Sequence, residues 1–149
     1  MKKTVIILLL LLVAIQFIRP ARTNPPVDPA HALHADEEVI QLLRQSCYDC
    51  HSNETRWPWY SQIAPISWSI ASHVDDGREA LNFSEWTQID PKIKAKRLKR
   101  AIQTTRNGMM PLPMYLWIHK DAKLSREQKK VIEKWATAEL EKLEKSKTK

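Results

Sequence analysis

The chain has only two cysteines, two glycines and two phenylalanines in 149 residues. With glycine scarce and strand signals weak, the pattern points away from a β-rich fold. There is no second cysteine pair, so a structural zinc site would lack two good ligands. A disulfide between Cys47 and Cys50 would close a very short loop and constrain little of the unfolded chain. A thioredoxin-like dithiol would want a βαβ context, and none is found. Internal repeats and low-complexity tracts are absent. The formal charge of +7 overstates the basicity of the main domain, because Lys2, Lys3, Arg19 and Arg22 belong to the N-terminal leader. Taking those four from the 24 Lys and Arg leaves 20 against 17 acids. That balance gives no basis for nucleic-acid binding.

The two cysteines fall in Cys47-Tyr48-Asp49-Cys50-His51. C-x-x-C-H is the attachment signature of c-type haem. Two thiols three positions apart sit on one turn of backbone, where each can form a thioether with a porphyrin vinyl group. The histidine that follows is held against the ring face, where its imidazole can bind iron. One covalent haem c on Cys47 and Cys50, with His51 as axial base, is therefore expected. Six tryptophans lie downstream of the leader and suit a small domain that must enclose a large apolar ring.

Met1-Lys2-Lys3 followed by an apolar run from Val5 to Ile18, broken only by Gln16, has the length and flanks of a secretory h-region. It is shorter than the roughly 20 residues of a standard membrane-spanning helix. Ala21 is small, but Arg19 stands at the −3 position before it, which makes a poor cleavage site and favours an uncleaved anchor over a cleaved signal. Either way the rest of the chain is exported, as covalent haem attachment in bacteria requires. The expected organisation is a signal or anchor at 1–22, a linker at 23–35, the haem-binding domain at 36–141 and a charged tail at 142–149.

Pro20, Pro25, Pro26 and Pro29 disfavour helix in the linker, and His31 and His34 there read as exposed side chains. Asp36 can cap a first helix that runs directly into Cys47, with Glu37 and Glu38 in its first turn. Pro65 can start a second, with Ile66, Ile70 and Val74 at helical spacing and Gly77 as its stop. Asn82 to Asp90 reads as a loop. Pro91 opens a third helix that stops at Asn107-Gly108. It carries Lys92, Lys94, Lys96, Arg97, Lys99, Arg100 and Arg106 with no acid among them, a solvated face or a docking face for an acidic redox partner or anionic lipid. An extended loop, Met109 to Met114, precedes a short turn to Ile118. Ser125 and Gln128 form a capping box for the last helix, whose buried side is Val131, Ile132, Trp135 and Ala138.

Opposite His51 the iron needs a sixth ligand or an open position. A thioether suits a redox carrier. Met110 is the expected ligand, because Pro111 holds it extended and a proline-braced loop can present it. His119 and His73 are the alternatives, while Met109 and Met114 are expected to pack. Trp59, Tyr60 and Arg78 are candidates to seat the haem or its propionates.

The arrangement resembles class I cytochrome c and, more closely, a bacterial haem-binding domain family related to it. The resemblance runs through Cys50-His51-Ser52-Asn53-Glu54-Thr55, Trp57-Pro58-Trp59-Tyr60, Ile63-Ala64-Pro65, His73-Val74, Gly77-Arg78 and Leu81-Asn82-Phe83. It closes with Met110-Pro111, Tyr115, His119, Ala122-Lys123-Leu124-Ser125 and Trp135. It covers about residues 36–138 and implies an all-α, cytochrome c-like helical domain wrapped around one covalent haem. Cys47 and Cys50 are then the attachment sites, His51 the axial base, and Met110 falls at the Met-Pro position. The expected function is a monohaem electron carrier in the periplasm, tethered to the cytoplasmic membrane by its N-terminal segment, rather than an enzyme. The alternative is a haem enzyme or sensor with an open or displaceable sixth position, reducing peroxide or binding a gas.

Overall fold

In the computed structural model, which describes residues 1–145, every regular element is helical. The helices are α1 (Lys2–Ala14), α2 (Glu37–Ser46), α3 (Tyr48–His51), α4 (Ile66–Ala80), α5 (Pro91–Arg106), α6 (Pro113–Ile118) and α7 (Arg126–Lys145). Short 3₁₀ turns at Ile15–Phe17, Trp59–Gln62, Phe83–Gln88 and Lys120–Ala122 join them. No strand occurs among the described residues. The expected tail from 142 begins inside α7, and residues 146–149 lie outside the described residues.

Helix ends follow local chemistry. The Asp90 carboxylate accepts from the amides of Lys92 and Ile93, and Pro91 supplies the first turn of α5. Gly108 closes that end with a φ of 72°, where a side chain would be strained. At α7 the reciprocal box forms: Gln128 N–H donates to Ser125 Oγ, and Ser125 N–H donates to Gln128 Oε1. Asp36 stands at the α2 N-cap without a side-chain cap bond, so Glu37 and Glu38 favour that end only through their charge.

α5 lies along α7, and α2 crosses to α7 as well. Between them Leu42, Leu43, Phe83, Trp86, Leu98, Ile132, Ala136 and Leu140 form the core. Ala136 and Leu140, not Ala138, carry the buried side of α7 beyond Ile132. Phe83 stacks on Tyr48 at 5.3 Å, and Trp86 and Trp135 pack at 5.7 Å. The expected loop after α4 is thus a 3₁₀ turn that delivers two rings to the core.

Gly77 does not end α4, which continues to Ala80. It is buried where α4 meets α3, and a Cβ built on it would lie 2.4 Å from the Cys50 carbonyl oxygen. A close approach, not a chain reversal, requires glycine there.

Residues 18–35 form no regular helix, yet they run against the domain. Leu33 is buried in the core, and its amide donates to the Phe83 carbonyl. Asn24 bridges Thr55 and Trp57. α1 itself stands clear of the domain, with none of its residues buried. No helix among the described residues is long and apolar enough to cross a membrane.

Candidate functional site

α2 hands the chain directly to the motif. Cys47 is the single residue between α2 and α3, the C-cap of one and the N-cap of the other, so the two helices meet at a corner carrying both thiols. Cys47 and Cys50 are free, and their burial pushes the thiols up to about 12 and about 11. Such thiols are protonated at neutral pH and make a poor dithiol redox pair, which needs a depressed pKa.

The His51 ring is held by its Nδ1–H, which donates to the Leu81 carbonyl at 3.0 Å. That bond fixes the tautomer and leaves Nε2 with a free lone pair, the arrangement an imidazole needs to bind a metal. Burial lowers the ring's pKa, which keeps it neutral.

Beside the motif lies a cavity of about 500 Å³, almost wholly apolar. Cys50 and Asp49 form its floor, the Trp59–Gln62 turn and α4 one wall, and α6 the other. Ile66, Ile70, Val74, Leu112 and Ile118 contribute aliphatic surface. The polar groups at its edge form two clusters. Asp49 accepts from Arg56 at 3.1 and 3.3 Å and from Tyr115 Oη at 2.7 Å. Tyr60 Oη lies 2.5 Å from His119 Nε2, and the His119 ring stacks on Tyr115 at 4.2 Å. α6 is therefore tied to the motif through Tyr115 and, just past its C-terminal end, to the Trp59–Gln62 turn through His119. Burial, then the bond to Asp49, raises the Tyr115 phenol well above its ordinary value.

Several expected residues meet here. Cys50, Trp59, Tyr60, His73 and His119 all line the cavity. Met110 does not: it is half-buried outside the lining, with its amide donating to Thr104, whereas Met114, expected to pack, is exposed at the cavity wall. Arg78 does not reach it either. Its guanidinium donates to Ser52, Thr23, Asn24 and Thr55, tying residues 23 and 24 to the motif loop. Arg56 is the arginine on the cavity, between Thr55 and Trp57 in the motif stretch.

The donor set suits a covalently held porphyrin. Two unbridged thiols sit on one turn beside a neutral imidazole, and of these three residues Cys50 lines an apolar cavity in the size range of cofactor sites, while Cys47 and His51 lie outside its lining. A haem-binding domain model matches residues 10–138, most of the chain. The protein therefore belongs to the haem-binding domain family. No curated protein and no solved structure matches the chain.

Proposed function

We propose that this haem-binding protein is a monohaem c-type electron carrier, held outside the cytoplasmic membrane by its N-terminal segment. The observation that carries the reading is the motif corner: Cys50 on the floor of an apolar cavity, Cys47 one turn away, and the His51 ring pinned through Nδ1. Cys47 and Cys50 would hold the haem covalently, and His51 would bind its iron through Nε2. When bound, the haem supplies reversible one-electron chemistry at iron. The chain's own part is to keep that site rigid and dry. α2 and the tight α3–α4 contact at Gly77 fix the motif, while the aliphatic and aromatic walls exclude water. A second ligand to the iron would be Met110, expected from the Met-Pro step, with His119 and His73 as the alternatives.

A second reading rests on the Tyr60–His119 pair in the cavity wall. A hydroxyl and an imidazole in contact can hold and move a proton at His119 Nε2, which a haem enzyme or gas sensor with a free sixth position would use. Optical spectra of the purified protein with and without cyanide or carbon monoxide separate the two. An electron carrier gives a low-spin spectrum that resists both ligands. Ready binding of either ligand favours the second reading.

A further inference from the structure

The end of the leader is fastened to the domain at one place. Gln16 Nε2 donates to the Ala64 carbonyl at 3.1 Å, and the Ala64 amide donates back to Gln16 Oε1 at 2.9 Å. The side-chain amide thus satisfies both backbone polar groups of Ala64. Trp68 Nε1 donates to the Ile18 carbonyl at 2.8 Å, and Arg22 donates to Ser61 and Gln62. These bonds join residues 16–22 to the segment that forms one wall of the cavity. They also fix where α1 leaves the domain.

That exit point sits among exposed apolar side chains. Ile63 and Ile66 flank Ala64 and are 43% and 51% exposed. Trp59 and Trp117, on the two walls of the cavity, are 75% and 74% exposed, and Ile118 is 63% exposed. Exposed tryptophans beside aliphatic residues are the composition of a membrane–water interface. α1 is apolar on all sides and covers about 20 Å at 1.5 Å per residue, short of a hydrocarbon core of about 30 Å. The strongly basic α5 packs on α7, away from this face.

We propose that the rim formed by Trp59, Ile63, Ile66, Trp117 and Ile118 rests on the bilayer that α1 enters, so the cavity mouth faces the lipid headgroups. The Gln16–Ala64 pairing, together with the Trp68–Ile18 and Arg22 bonds, sets this orientation, which makes the leader a retained part of the molecule. The inference rests on the membrane tether proposed above, and flotation of the protein with vesicles tests that tether separately.

The experiment uses the full-length haem-loaded chain in phosphatidylethanolamine–phosphatidylglycerol vesicles. A photoreactive phenylalanine analogue is placed in turn at positions 63, 117 and 99, the last on α5. Lipid adducts at 63 and 117 with none at 99 are expected. Gln16→Ala combined with Trp68→Phe and Arg22→Ala should bring the adducts at 63 and 117 down to the level at 99, while the protein still floats with the vesicles and its haem spectrum is unchanged. Adducts to a second protein chain at 63 and 117, or no lipid adducts there in a protein that floats, would overturn the proposal and leave the haem assignment untouched. Mature protein that lacks residues 1–21 would overturn it as well.

Discussion

Gly77→Ala sets helix propensity against packing. Gly77 lies inside α4, where alanine would ordinarily stabilise by about 0.8–1 kcal/mol. The added Cβ, however, would meet the Cys50 carbonyl oxygen at 2.4 Å, its carbonyl carbon at 2.9 Å and its Cβ at 3.0 Å. These atoms belong to the motif turn and cannot rotate aside as a side-chain tip would. Restoring ordinary contact at 3.4 Å requires α3 and α4 to part by about 1 Å. Forcing extra volume into such a contact costs about 1–3 kcal/mol, and a backbone contact belongs at the upper end. The expected net change is a loss of about 1–2 kcal/mol, and a melting point lower by several degrees. Thermal unfolding of the holoprotein measures it, with Asp76→Ala, exposed one position earlier on α4, as the neutral control. Haem loading should fall too, because the displaced turn carries Cys50. A melting point that rises, as helix propensity alone requires, would refute the close approach as the reason for glycine.

Met110→Ala should shift the ferric spectrum toward high spin if Met110 binds iron; a shift in Met114→Ala or His119→Ala alone would reassign the ligand to the cavity wall. Tyr115→Phe removes the bond to Asp49 and leaves a largely buried carboxylate with Arg56 as its remaining partner, so about 1–3 kcal/mol of stability should be lost, read by denaturant titration. Lys96→Glu with Lys99→Glu should slow electron transfer with an acidic partner at low salt and converge with the parent at high salt; equal rates at every ionic strength would make α5 a solvated face only.

What the sequence reveals and conceals follows from the range of the interactions. The Pro91 start of α5 and the Ser125–Gln128 box are local, written within a few residues, and each forms as read. Gly77 is ambiguous in sequence because glycine marks both helix ends and close approaches; only the position of Cys50, 27 residues earlier, separates them. The packing of residues 16–35 leaves no periodic trace, since it uses single side chains against backbone carbonyls and amides. The seven positive charges of α5 looked equivalent. In the fold Lys94 turns inward over the Trp86 ring at 4.8 Å and Arg106 pairs with Glu133, while Lys92, Lys96, Lys99 and Arg100 stay exposed. Tyr60 and His119 meet across 59 residues, so neither could be paired from spacing.

The central claim is a covalent haem on the motif corner, and the mass of the purified protein tests it most directly. Intact mass spectrometry, followed by digestion, should find one haem per chain, retained under denaturing conditions on a peptide containing Cys47 and Cys50. The variant with both cysteines changed to alanine should lose it. A protein matured in a haem-attaching host whose chain mass carries no haem, or whose haem leaves on acid-acetone extraction, would contradict the account.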